Sequence, residues 1–277
     1  MATRLPLTRG RVIALVIGMP IVLAMVGWMA FSAVALASQV SYRVNVSAPV
    51  SGQGVRLTLG QADAEIRPGS VSRIQVSGKL TGSLARPVFH SHPVATGLAL
   101  NARCPVPTGN CTLDFHVTAP GGRPLNVSGS SGDLDVAGFR GPVTVSGGSG
   151  NLSASALAGA VSLSSGSGDI GASGLTGSRV KLSNGSGNID VAGLAAPDVV
   201  GSDGSGDITL TFSRVPRQVR IENGSGNITL VLPRGTSYQV DARSLSGNVG
   251  VGVKTRPSAD SVITASAGSG DISISYV

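Results

Sequence analysis

From Leu125 to the end of the chain, apolar residues alternate with polar or small ones in short bursts, and each burst stands at a fixed distance from an acidic or amide residue preceded by glycine. These markers are Asp133, Asn151, Asp169, Asn188, Asp207, Asn227, Asn248 and Asp271, spaced by 18, 18, 19, 19, 20, 21 and 23 residues. One and three positions after each marker come Leu134/Val136, Leu152/Ala154, Ile170/Ala172, Ile189/Val191, Ile208/Leu210, Ile228/Leu230, Val249/Val251 and Ile272/Ile274. Eight and six positions before it come pairs such as Val143/Val145, Val161/Leu163 and Val180/Leu182. A period of two over so few residues is that of a strand with one face buried. Each repeat therefore predicts two short strands.

The length between these two strands, across the Ser-Gly-Ser-Gly corner, never changes, whereas the opposite connection absorbs every insertion. Stacked coils in register at one corner and free to bulge at the other predict an all-β fold. It is a β-solenoid of about eight two-strand coils of 18–23 residues over 121–277. At about 4.8 Å per coil such a stack is roughly 40 Å long. Stacking in chain order leaves the last strand, "DISISYV", at the open end, an uncapped edge on which another chain can pair. Residues 38–120 hold strand patterns without the clean period ("YRVNV", "VRLTL", "LDFHV") and are expected to form irregular N-terminal β coils capping the stack. A separate small β domain is the alternative.

Ahead of the strands, Val12 to Ala37 is free of charged side chains. As a helix, these 26 residues reach about 39 Å, enough to cross a bilayer core of about 30 Å. Arg4, Arg9 and Arg11 precede the run without an acid. The positive-inside rule then makes 1–11 a short cytoplasmic basic tail and 12–37 a transmembrane anchor. Ala35-Leu36-Ala37 has the small-x-small form of a signal-peptidase site, so a long signal peptide is the competing reading. Either one exports everything after Ser38. The expected location is the plasma membrane, single-pass, with the C-terminal part extracytoplasmic.

Charge adds an exclusion. The formal +7 drops to +4 once the three N-terminal arginines are set aside, 18 Arg/Lys against 14 Asp/Glu. With 3% aromatic residues there is no stacking platform for bases, and nucleic acid is not expected as a partner. The two cysteines, Cys104 and Cys111 in "CPVPTGNC", read in an oxidising compartment as one disulfide closing a short loop.

Candidate chemistry is sparse, and no cofactor or metal is expected. "GSGDIG" at Gly166–Gly171 spells a dinucleotide fingerprint but no helix pattern follows it. Four of the eight markers are Asn, which halves the charge calcium would require. Asp and Asn in a corner are explained by their bonds to nearby backbone N–H groups. His90 and His92 in "HSH" could ligate a metal, but no third ligand accompanies them, and His116 stands apart. Asp133 and Asp135 are a carboxylate pair without a row of aromatics for sugar binding. Arg214, Arg217, Arg220 and Arg234 form a candidate basic surface stripe for anionic wall polymer or lipid head groups. "LPRGT" at Leu232–Thr236 is not a sortase signal, since no apolar tail follows it.

The stretch "LDFHVTAPGGRPLNVSGSSGDLDVAGFRGPVTVSGGSGNL" resembles a bacterial family of putative adhesins of unknown function, and the resemblance extends over about Val44 to Val277. It implies a membrane-tethered, extracytoplasmic β-solenoid linked to adhesion or to envelope-stress systems, and it carries over no catalytic residue. The expected function is that of a non-enzymatic adhesin-like or structural interaction protein at the cell envelope. Its expected partners are the membrane, through the N-terminal helix, and a cell-wall polymer, glycan or envelope protein; the oligomeric state is left open. An accessory or sensory ectodomain of an envelope-stress system is the alternative, and a carbohydrate-active β-helix enzyme comes third.

Overall fold

A computed structural model describes residues 19–29, 32, 38–50, 54–83, 85–94, 97–105 and 111–277. Residues 19–29 are helical, with large apolar side chains such as Ile21, Leu23 and Trp28 exposed. Among the described residues no helix is long and apolar enough to cross a membrane. The remainder of the 12–37 segment, on which the anchor reading rests, lies outside them.

The chain then builds β1 (Val40–Pro49), β2 (Val55–Leu59), β3 (Asp63–Gly69), β4 (Arg73–Gly82), β5 (Val88–Val94), β6 (Gly97–Arg103) and β7 (Cys111–Pro120). The eight marked repeats follow as strand pairs. They are β8 (Leu125–Gly129) with β9 (Leu134–Ala137), β10 (Val143–Gly147) with β11 (Leu152–Ser155), β12 (Val161–Ser165) with β13 (Ile170–Ser173), and β14 (Arg179–Asn184) with β15 (Ile189–Leu194). Next are β16 (Asp198–Ser205) with β17 (Ile208–Phe212), β18 (Gln218–Ser225) with β19 (Ile228–Leu232), β20 (Gln239–Ser246) with β21 (Val249–Val251), and β22 (Val262–Ser269) with β23 (Ile272–Tyr276). The two strands of each pair enter two different sheets, of 11 and 12 strands, and equivalent strands of neighbouring coils pair in parallel. The protein is an all-β solenoid.

Its layers do not follow chain order at either end. The larger sheet runs β1-β4-β7-β3-β9-β11-β13-β15-β17-β19-β23-β21, the smaller β20-β22-β18-β16-β14-β12-β10-β8-β2-β6-β5. Two coils therefore come from the region before residue 121: β2/β3 stacks directly on β8/β9, and β6/β7 lies outside it. At the other end β22/β23, the last coil of the chain, lies between β18/β19 and β20/β21. The expectation that the last strand closes the stack is thus corrected. Among the described residues β23 is paired on both sides, and β20 and β21 are the free sheet edges at this end, as β1 and β5 are at the other.

The interior is a set of columns running the length of the stack. Two columns come from each sheet, and all eight residues of the central pairs Val161/Leu163, Ile170/Ala172, Val180/Leu182 and Ile189/Val191 are buried. A further column, not foreseen from the repeat, plugs the variable corner: Phe139, Leu157, Leu175, Leu194, Phe212 and Leu232 are all buried there. Burying a side chain of this size contributes about 1.5–3 kcal/mol, and a coil supplies only half of its own contacts.

Candidate functional surface

The constant corner is shaped by glycine and held by a ladder. Gly187, immediately before Asn188, has φ +107°, and a Cβ there would stand 2.5 Å from the carbonyl oxygen of Gly168 in the adjacent layer. Only glycine tolerates both conditions. Each marker then donates its backbone N–H to the side-chain Oδ1 of the marker one layer away. Asn151 donates to Asp133 (2.7 Å), Asp169 to Asn151 (3.0 Å), Asn188 to Asp169 (2.7 Å), Asp207 to Asn188 (3.0 Å) and Asn227 to Asp207 (2.7 Å). The ladder continues through the exchanged coils, Asp271 donating to Asn227 (2.9 Å) and Asn248 to Asp271 (2.7 Å). It starts one coil earlier than the repeat suggested, because Asp133 donates to Asp63 (2.8 Å).

In spatial order from Asp133 the ladder reads Asp, Asn, Asp, Asn, Asp, Asn, Asp, Asn. Two carboxylates at about 4.8 Å would repel by roughly 1 kcal/mol even in a water-like dielectric, and alternation halves that by doubling the distance. In chain order the alternation fails once, at Asn227 and Asn248; exchanging the last two coils restores it. Bonds to Asp are the shorter ones, as charge-assisted bonds should be. Every Oδ1 from Asp63 to Asp271 is thus occupied by a backbone donor, which gives the corner a structural account.

Just inside this corner runs a second column four positions before the marker, polar and buried at Ser165, Asn184, Asp203 and Asn223 and half-buried at Ser244. Asn184 Nδ2 donates to Gly168 O (3.1 Å), Asn223 Nδ2 to Gly206 O (2.8 Å) and Ser244 Oγ to Gly270 O (2.8 Å), each time the glycine carbonyl of the neighbouring layer. Asp203 occupies the same place, with Gly187 O as the equivalent acceptor, and its Oδ2 is buried with no partner. Burial pushes this carboxyl up, against the lowering effect of the Ser205 and Gly204 N–H groups and with a smaller raising effect from Asp207. Protonation of Oδ2, which burial favours, would supply the donor that Asn supplies elsewhere in the column.

Surface grooves are shallow. One of about 540 Å³ near the N-terminal end is lined by Asp63, Glu65, Asp114, Asp133 and Asp135 together with Lys79, Phe115 and His116. The sugar-chemistry candidates sit here already engaged: Arg67 binds Asp135 Oδ2 (2.7 Å), and Asp133 Oδ1 accepts the Asn151 N–H. His116 Nδ1 is 2.8 Å from Glu65 Oε2, and hydrogen bonding to Asp135 holds the Arg67 guanidinium more firmly protonated. His90 and His92 stack on each other at 6.5 Å on β5. Cys104 and Cys111 form the disulfide, tying the end of β6 to the start of β7.

The four arginines are spread. Arg220, on the outer face of β18, donates to Glu222 (2.7 Å), whereas Arg214 and Arg217 lie between β17 and β18, with Arg217 bound to Asp198. Arg234 follows β19, donates to Val277 O (2.8 Å) and lies over the Tyr276 ring. Arg217 also lines a groove of about 450 Å³ with Pro197, Pro216, Arg256 and Asp260.

The outer face of the smaller sheet carries a hydroxyl row that sequence reading passed over. Thr58, Ser128, Ser146, Ser164, Ser183 and Ser202 stand at one register position of successive layers. Neighbours touch at 3.0 Å (Ser146–Ser164), 3.3 Å (Ser202–Ser183) and 3.4 Å (Ser128–Thr58). Their signal was the hydroxyl residue that directly follows the second inward position of the earlier strand in five successive repeats, up to Ser202, before Glu222 takes the place.

The architecture is found in solved structures. A putative adhesin from Bacteroides fragilis NCTC 9343 is similar at a TM-score of 0.53 with 14% identity, over 85% of this chain and 97% of its own. A putative adhesin from Parabacteroides distasonis ATCC 8503 is similar at 0.50 with 11% identity, over 86% and 97%. At these identities the likeness is one of fold. No curated protein matches the chain. Residues 106–275, more than half of the chain and every marker from Asp133 to Asp271, match the model of Toastrack DUF4097, and the chain belongs to that family.

Proposed function

We propose that the protein is an extracytoplasmic β-solenoid tethered to the plasma membrane by residues 12–37, with its N-terminus in the cytoplasm. It acts there as a non-enzymatic, adhesin-like or structural interaction protein, and its long faces contact a cell-wall polymer, a glycan or an envelope protein. The observation that carries the reading is the hydroxyl row from Thr58 to Ser202, one group per layer at about 4.8 Å on the outer face of one sheet. Such a face offers many equal, weak contacts in register, which suits a repetitive polymer bound by avidity. The adhesin names of the two similar structures agree with it. An anchor preceding the stack supports presentation away from the bilayer.

The test is fractionation of a C-terminally tagged chain, protease accessibility on intact spheroplasts, and binding of the full chain to wall and glycan fractions. Membrane retention, an accessible solenoid and saturable wall binding are expected. A protected or released solenoid would overturn the anchor. Correct topology without wall or glycan binding would replace adhesion by the accessory or sensory reading.

A further inference from the structure

At the C-terminal end of the stack both sheets finish on a strand that is unpaired on its outer side among the described residues. Gln239 donates its N–H to Ser261 O, so the odd-numbered residues of β20 direct their backbone groups inward to β22. The even-numbered ones as far as Ser244 point out of the stack, whereas Ser246 O accepts the Gly270 N–H of the inner layer. Tyr238 points outward and is engaged by Lys254 O and the Arg256 N–H. Beyond it, Val240, Ala242 and Ser244 present their N–H and C=O groups at the free edge of the sheet. β21 is the free edge of the other sheet. The side chains that would be core in any inner layer are open here: Val249 is 41% and Val251 40% exposed, Val240 and Ala242 are half-buried, and a groove of about 440 Å³ lies among them. No proline interrupts either strand. An edge of this kind pairs unless something covers it.

We propose that this end docks against the same end of a second copy of the chain, extending both sheets across a two-fold axis. Within one strand Arg243 Nε holds Asp241 Oδ1 (3.0 Å), and the same two charges are self-complementary across a two-fold axis. Antiparallel pairing of β20 about Ala242 sets Asp241 opposite Arg243 of the second copy, and Arg243 opposite its Asp241, both on the outer face of the sheet. Ala242 then exchanges both backbone hydrogen bonds with its own counterpart, as its outward N–H and C=O require. β21 has the same self-complementarity: Val249-Gly250-Val251 is a palindrome, and pairing about Gly250 sets valine against valine. Position 245 follows suit. Gly148, Gly166, Gly185, Gly204, Gly224 and Gly268 occupy the equivalent corner position of inner coils, whereas the outermost coil has Leu245, 92% exposed. It would face Gln239 of the second copy across the junction.

The end face is small. Eight residues of strand and a sheet separation of about 10 Å, with side chains, give roughly 500 Å² per copy, at the lower limit for a specific contact. A reversible dimer in the micromolar range is therefore expected.

The experiment is sedimentation velocity on the full chain in a mild detergent, with Asp241→Arg and Arg243→Asp. Both positions are exposed, so folding is checked by thermal midpoints at a dilution where wild type and variants are all monomeric. Wild type should shift reversibly from monomer to dimer with concentration. Each single variant should lose at least tenfold in association, since it opposes like charges twice. An equimolar mixture of the two variants should recover it, because the two arginines of one variant then face the two aspartates of the other. A monomeric wild type, single variants that associate like wild type, or a mixture that stays monomeric would each overturn the proposal.

Discussion

The two ends of the stack share a topology and differ in finish. At each end the chain visits the outermost layer and places its terminal coil one layer further in: β2/β3 under β6/β7, and β22/β23 under β20/β21. A terminal coil held by ladders on both sides cannot fray alone, which is the usual weakness of a chain end. The N-terminal end is then extended by further strands, with β1 and β5 as its sheet edges. β4 and β1 continue one sheet in antiparallel fashion and β5 the other; Phe89 packs on Phe115, Tyr42 donates to Pro87 O, and a disulfide ties β6 to β7. Among the described residues the C-terminal end has only the segment around Val253 and Tyr238, the latter buried with its phenol pushed up to about 12 and donating to Pro233 O. The contrast separates two requirements of a solenoid: seating the terminal coil between two layers, which both ends meet, and packing further strands over the outermost coil, which the N-terminal end meets within its own chain.

The largest break in this comparison should come from equivalent positions of the two exchanged coils. Ile272 is 1% exposed and Val249 41%. Ile272→Ala is expected to cost about 2–5 kcal/mol, whereas Val249→Ala in the open layer should cost less than about 1 kcal/mol in thermal unfolding of the monomer. At the N-terminal end, Cys104→Ser with Cys111→Ser removes a short loop constraint, for which about 2.5 kcal/mol is expected. Hydrogen exchange should show the loss first in β6 and β7, with β20 and β21 unchanged.

Within the regular middle the effects are smaller. Asn188→Asp places three acids in succession, Asp169, position 188 and Asp207, and should lower stability by about 1–2 kcal/mol at low salt, less as salt rises. Asn248→Asp adds a charge beside only one acid, Asp271, and should cost about half as much. The smallest effect concerns pH. Burial raises the Asp203 carboxyl, so the folded chain keeps this proton to higher pH than the unfolded chain does. Its contribution is complete below the ordinary carboxylate range and is lost as pH rises through the folded value. Asp203→Asn should leave stability at low pH nearly unchanged and raise it toward neutrality, flattening the profile in urea unfolding.

Much of this architecture is legible in the residues, because offset and period are local properties: the markers, their flanking aliphatics and the Gly-containing corner all reappear as layers. Layer order is not local, and a spacing that lengthens smoothly from 18 to 23 suggests plain succession. The exchange nevertheless left two marks in the chain, the consecutive Asn227 and Asn248 and the leucine at 245 where inner coils have glycine. The coil at Asp63 escaped notice because "LGQADAEI" lacks the Ser-Gly corner, although Val55, Leu57, Ala64 and Ile66 hold the standard offsets around it. The arginine row was proposed from nearness in sequence. It disperses because position 220 lies on a strand face whereas 214, 217 and 234 lie in connections. The buried column at Asn184, Asp203 and Asn223 was obscured by its position next to the corner, where polar residues are ordinarily solvated.

The exchange of the last two coils is tested most directly by paired cysteines. Ser225 lies beside Ser269, and Ser269 beside Ser246, so Ser225 and Ser246 are two layers apart, about 9.6 Å. Under mild oxidation Ser225→Cys with Ser269→Cys should form a disulfide in high yield, and Ser225→Cys with Ser246→Cys should not, since bridged Cα atoms lie within about 7 Å. The reverse pattern would mean that the coils stack in chain order, and would contradict the account.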